Sequence, residues 1–165
     1  MEKIMRYQIA DYLNTGTAEE ETYALMGTGF NTLDEEAGAQ TDSVTYINAK
    51  AATKYVKGYE TVFPFETDLI ADEDAVTYIY DVGRNQKTGG DAETDYVRVE
   101  LFSPVSAPEK PNTFKARKFR VSIEVSSTEG EGGSIVKMSG NLNAVGDFVD
   151  GTFDTSTKTF TPAGA

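Results

Sequence analysis

The chain contains no cysteine, no histidine and no tryptophan. Without cysteine there are no disulfides and no thiolate chemistry, which fits assembly in a reducing cytoplasm. Without histidine the commonest general base and metal ligand is missing, so zinc centres and Ser-His-Asp catalysis are excluded. Acid-pair chemistry such as glycoside cleavage needs only carboxylates. However, no tryptophan platform or recognisable spacing supports it, and no catalytic residue, cofactor site or metal site is assigned. Long apolar runs are absent too. No segment approaches the ~20 residues of a membrane-spanning helix. Met1 to Asn14 carries charges throughout, so no secretion signal is expected there. Basic residues are in short supply: 15 against 27 acids, a net charge of −12. Direct phosphate binding is disfavoured at that balance, because nucleic-acid affinity comes from Lys and Arg displacing counterions.

What is present suits a β fold. A chain of 165 residues with 39% hydrophobic content, nine Tyr and nine Phe is long enough for one domain with a real core. Aromatic and β-branched residues favour strands. Asp95 to Ser103 alternates, with Val97, Val99 and Leu101 on one side and Tyr96, Arg98 and Glu100 on the other. Thr113 to Ser127 also alternates, with Phe119, Val121, Ile123 and Val125 apolar and Arg120, Ser122 and Glu124 wet. Ser134 to Leu142 is expected as a strand with Val136 and Met138 inward. Val145 to Phe153 and Lys158 to Pro162 are expected as a C-terminal hairpin, about 145–162. Lys3 to Asn14 reads as a first strand or an extended arm. Tyr23 to Phe30 reads as a strand in which Gly27 and Gly29 suggest a bulge or a close backbone approach, and Asn31 to Ala39 as an acidic loop.

Val44 to Ala51 and Thr61 to Leu69, joined by Ala52 to Glu60, read as a long aromatic hairpin, about 40–69. The connection Ser103 to Asn112 carries Pro104, Pro108 and Pro111. One helix is predicted, over about 70–82. Asp72 is its N-cap, acids sit in its first turn, Val76, Ile79 and Tyr80 share a face, and Gly83 is its stop. Period-two patterning with a single helix predicts a mainly β domain, a sandwich or barrel over 1–165.

Charge is unevenly placed. Residues 1–43 hold nine acids against two bases, a balance of −7, whereas Lys110, Lys115, Arg117, Lys118 and Arg120 cluster beside a lone Glu109. Local pairing within the chain is one explanation. A head-to-tail contact, with the basic strand of one copy meeting acids of the next, is the other.

Four segments carry a further signal. They are Tyr23-Ala-Leu-Met-Gly-Thr-Gly-Phe-Asn-Thr-Leu-Asp34, Gly38-Ala-Gln-Thr-Asp-Ser-Val-Thr-Tyr-Ile-Asn48, Lys57-Gly-Tyr-Glu-Thr-Val-Phe-Pro-Phe-Glu66 and Tyr80-Asp-Val-Gly-Arg-Asn-Gln-Lys-Thr-Gly89. In that order, between residues 23 and 89, they resemble the major tail tube proteins of long-tailed bacteriophages of Gram-positive bacteria. The resemblance implies a structural virion protein, assembled in the host cytoplasm, whose copies form hexameric rings stacked into a conduit for DNA. Tape measure, tail terminator and distal tail proteins are the implied partners, with DNA passing through unbound. Candidate subunit-interface residues are Tyr46, Tyr55, Tyr59 and Phe63 of the hairpin, and Lys115, Arg117, Lys118 and Arg120 of the basic strand. A tube protein of a contractile tail, phage-like bacteriocin or type VI secretion system is the alternative. A monomeric β-sandwich binding module is the second.

Overall fold

The computed structural model describes residues 1–106 and 109–164; the expected connection through Pro108 therefore lies partly outside the described residues. The fold is mainly β, with one α-helix among the described residues. Strands β1 (Ile9–Asn14), β2 (Tyr23–Leu25), β3 (Phe30–Leu33), β6 (Val62–Asp68), β7 (Glu93–Pro104), β8 (Thr113–Glu129) and β9 (Lys137–Ala144) form one antiparallel sheet in the order β2-β1-β7-β8-β9-β6-β3. β10 (Val149–Asp154) pairs with the first half of β8, and β11 (Thr159–Pro162) pairs with β10. β9 pairs with the second half of β8. The 17-residue β8 is therefore the spine that links both halves of the sheet.

Alternation along β7 and β8 produces two cores, because successive side chains leave a strand on opposite faces. Tyr96, Phe119, Val121 and Ile123 join Leu13, Phe63 and Leu142 in the larger cluster. Val97, Val99 and Ala116 join Tyr12, Tyr23 and Phe153 in the smaller one. Phe63 packs edge-on against Tyr96 and Phe119 at 4.7 and 4.8 Å. Phe153 lies 4.5 Å from Tyr12 and 5.7 Å from Tyr23. The middle of the sheet is thus covered on both faces, and Tyr96 and Arg98, expected opposite the apolar side of β7, are buried as well.

The helix α1 spans Asp74–Arg84, with Glu73 at its N-cap position and no side-chain capping bond, so the cap position falls one residue beyond the expected Asp72. Its buried face is Ala75, Val76, Ile79 and Val82, with Tyr80 packed on the margin. Gly83 lies inside the helix instead of stopping it. A Cβ there would stand 2.8 Å from Val125, so glycine is what lets helix and sheet approach.

The expected strand Tyr23 to Phe30 breaks into β2 and β3 at Gly29, whose φ of +97° is a glycine conformation. The acidic loop begins as β3 and becomes irregular only after Leu33. Val136 is exposed and precedes β9, while Met138 is buried as expected.

The hairpin is the largest revision. β4 (Ala39–Val44) pairs with β5 (Thr53–Tyr59) as a separate two-stranded sheet. β6, expected as the hairpin's second strand, belongs to the main sheet against β9. The segment expected as a linker, Ala52 to Glu60, carries Tyr55, Val56 and Tyr59, a strand composition that outweighs the reading as a loop. The tip closes through Ala49 N–H donating to the Tyr46 carbonyl at 3.0 Å.

Candidate functional site

The β4–β5 hairpin has no buried residue; only Gln40 and Gly58 are partly covered. A seven-residue strand is about 23 Å long at ~3.3 Å per residue, so the hairpin is a long projection. Tyr46, Ile47, Tyr55, Val56 and Tyr59 are all exposed on it. Isolated two-stranded hairpins are marginal in water, and grouped exposed apolar side chains mark interaction surfaces. Its neck is tight: Glu60 N–H donates to the Gly38 carbonyl at 2.9 Å, and a Cβ on Gly38, whose φ is +63°, would collide with that strand.

An ionic chain ties this neck to the main sheet. Arg117 on β8 donates to both carboxylate oxygens of Glu35 at 2.6 and 3.0 Å, a two-pronged geometry that gives direction as well as energy. Its guanidinium also lies 5.2 and 5.3 Å from the rings of Phe119 and Phe148. Arg98 lies 3.7 Å from Glu35 and 3.6 Å from Asp11. Asp11 in turn accepts from the Tyr96 hydroxyl and from Arg6 at 2.7 Å. Arg6 also donates to the Leu33 carbonyl at 3.0 Å, fastening the N-terminal segment to β3. Burial raises the Glu35 carboxyl, but the Arg117 hydrogen bonds and the charges of Arg117 and Arg98 outweigh it and hold the group below its ordinary value. Burial, reinforced by the Asp11 charge, pushes the Tyr96 phenol well up. Both effects keep the Glu35 carboxyl ionised and the Tyr96 phenol protonated near neutrality.

The basic strand of the sequence divides between the two faces. Lys118 lies 3.6 Å from Glu21 and 3.8 Å from Asp95. Arg120 lies 3.4 Å from both Glu93 and Asp95. With Arg117 on Glu35, three of the four candidate cations of β8 are paired within the chain, and Lys115 is exposed. Phe63 is a correction: it is fully buried in the larger core and offers no surface to a neighbour. Tyr46, Tyr55 and Tyr59 remain exposed, as an interface requires.

Two grooves flank these elements. One, about 790 Å³, is lined mainly by apolar side chains of β1, β2 and β3, with Arg6 and Asp11 also in its wall. The other, about 650 Å³, lies between the hairpin neck and the 143–148 loop, with Arg117 in its wall. No group of acidic side chains among the described residues is arranged to hold a metal ion. Among the described residues, no helix is long and apolar enough to cross a membrane.

No family model matches the sequence, and no curated protein does. Solved structures match in fold. The fold is tail-tube-like. A chain from the tail of an empty GTA particle, computed with C6 symmetry, is 8% identical with a TM-score of 0.59, over 90% of this chain and 98% of that one. A chain from the PVC sheath–tube complex of an extracellular contractile injection system, in the extended state, is 11% identical with a TM-score of 0.53, over 93% of both chains. A chain from the six-fold symmetrised baseplate of the anti-feeding prophage is 6% identical with a TM-score of 0.50, over 90% of this chain and 95% of that one. At such identities the likeness is one of fold.

Proposed function

We propose that this chain is the subunit of a tail tube: a structural protein whose copies assemble into rings that stack into a hollow conduit. The observation that carries the reading is the shared fold with chains of tail and injection assemblies, on a chain whose projecting β4–β5 hairpin has no buried residue. Unpaired strand edges and exposed apolar hairpins are liabilities in a monomer; assembly turns them into contacts. Six copies per ring is the expected number, since two of the similar assemblies carry C6 or six-fold symmetry. Tyr46, Tyr55 and Tyr59 supply hairpin contacts, and Lys115 with the outer edge of the β8 cation cluster supplies polar ones. The role is structural, without a catalytic residue.

Two machines fit. A contractile one is favoured by likeness to a chain of a contractile sheath–tube complex. The tail of a long-tailed phage of Gram-positive bacteria rests on the sequence resemblance, which also implies the tape measure, terminator and distal tail partners. A sheath gene beside this one selects the contractile machine; its absence selects the other. Negative-stain electron microscopy of the purified protein tests the common claim. Hollow tubes or stacked rings are expected. A monodisperse monomer at high concentration overturns it.

A further inference from the structure

The hairpin has a charge opposite to that of the rest of the molecule. Residues 39–59 contain Lys50, Lys54 and Lys57 against Asp42, a balance of +2 in a chain of −12, which leaves −14 on the remainder. All three lysines are exposed. None of them is in an ion pair among the described residues, whereas Arg117, Lys118 and Arg120 of β8 are paired within the chain. Lys57 is the extra residue of a β-bulge, where the register shifts between Gln40 and Thr41, so Tyr55 and Tyr59 leave the hairpin on opposite sides with the Lys57 charge between them. A surface that pairs with these lysines must be acidic.

The β1–β2 loop is such a surface. Glu19, Glu20 and Glu21 are exposed in consecutive positions. The loop is held in shape by Asn14, a buried side chain whose Oδ1 accepts from Gly16 N–H at 2.9 Å and Thr22 N–H at 3.0 Å. Its position relative to the hairpin follows from two consecutive residues. Lys118 reaches Glu21 at 3.6 Å, and Arg117 reaches Glu35, at the hairpin neck, at 2.6 Å. Adjacent residues of a strand point to opposite faces. The hairpin neck and the acidic loop are therefore anchored to opposite faces of the same sheet. Two complementary elements on opposite faces make a head-to-tail contact, the kind that closes rings or propagates a stack.

We propose that the hairpin lysines Lys50, Lys54 and Lys57 of one copy dock on the Glu19–Glu20 loop of the next, so that this ion-pair contact sets the register of self-assembly. The inference rests on the tube reading and names the surfaces that join its subunits. Charge complementarity across an interface sets orientation and encounter rate more than affinity, and exposed pairs are screened by salt. Assembly of the wild-type protein therefore slows as salt rises.

The test uses full-length chains, followed by light scattering and negative-stain microscopy, with circular dichroism and a melting curve for folding. K50E/K54E/K57E is expected to stay folded and lose assembly. E19K/E20K is expected to do the same. The chain carrying both sets of reversals regains assembly, which separates pairing from general repulsion. As a charge control, Lys3, Lys110 and Lys158 are changed to Glu, giving the same net charge as the hairpin variant; this chain is expected to assemble. Tubes from either single reversal, no rescue in the combined chain, or loss of assembly in the control each overturn the proposal while leaving the tube reading intact. A wild-type protein that never assembles overturns both.

Discussion

Arg117 holds Glu35 through two hydrogen bonds, 82 residues apart in sequence, and that grip fixes where the hairpin leaves the body. Glu35 precedes the Gly38 neck by three residues, so the guanidinium adds a side-chain anchor to the backbone bonds that join Glu36 to Val62 and Gly38 to Glu60. Arg117→Ala is expected to cost about 1–3 kcal/mol, the range for leaving a partly buried polar group unpaired. It is also expected to raise amide exchange in residues 34–38 and 58–62 more than in the sheet. Hydrogen-exchange mass spectrometry checks this; uniform protection across both regions would show that the neck does not depend on Arg117.

The same pair gives a pH dependence. Glu35 has its native pKa lowered, so the unfolded chain takes up its proton more readily than the folded one. Its contribution is fully present above the ordinary carboxylate pKa and is lost as pH falls through the lowered value. Glu35→Gln should lower stability at neutral pH and flatten the acid limb. Denaturant titrations at neutral and acid pH measure both. A variant with an unchanged acid limb would place the sensitivity in other carboxylates.

Excision of the hairpin separates assembly from folding. No residue of 39–59 is buried, and Gly38 and Glu60 are already hydrogen-bonded at 2.9 Å, so a two-residue turn can join them. The shortened chain is expected to keep its secondary structure and melt within a few degrees of the parent, because no core contact is removed. It is expected to form no tubes. Tubes of normal appearance would show that the hairpin is not an assembly element.

The strands that alternate most clearly, β7, β8 and the C-terminal hairpin, were legible because period-two patterning reports a face that must be covered. The helix was legible in kind, and its start lies one residue later than the Asp72 cap because no side chain makes a capping bond to fix it. The hairpin was misassigned because Thr61 to Leu69 and Thr53 to Tyr59 have the same strand composition. Only tertiary pairing with β9 decides between them. The ionic chain Arg6–Asp11–Arg98–Glu35–Arg117 was invisible, since its members are scattered over five segments. A single hint existed: Arg98 stands within an apolar alternating strand, where an arginine needs a buried acid. The hairpin lysines left no local motif and emerge only when charge is counted within the structural unit.

Phe63 and Tyr46 separate core from surface. Phe63→Ala removes a fully buried ring that packs on Tyr96 and Phe119, and the expected loss is about 3–5 kcal/mol. Tyr46→Ala touches an exposed ring and is expected to leave the melting temperature nearly unchanged while weakening assembly. Thermal denaturation with parallel light scattering gives both readings. A stable Phe63→Ala protein would contradict the packing described for the larger core.

The interior wall of the tube leads to the last prediction. A conduit for DNA must present little positive charge, because each phosphate contact adds affinity and steepens the dependence on salt. On the proposed tube reading, two features of the chain suit such a conduit. Its net charge is −12, and the strongest cluster of cations, on β8, has Arg117, Lys118 and Arg120 neutralised by Glu35, Glu21, Asp95 and Glu93 of the same chain. Neutralisation within the subunit matters more than the total, since screening confines a charge to roughly 8–10 Å at physiological ionic strength. Acids elsewhere on the surface would not mask a bare arginine on the wall. Assembled tubes are therefore expected to carry a net negative lumen and to retain no duplex DNA at physiological salt. Co-sedimentation of tubes with labelled duplex across a salt series measures this. Retention at physiological salt, falling steeply as salt rises, would mean that cations line the wall and that the passage is not built for DNA.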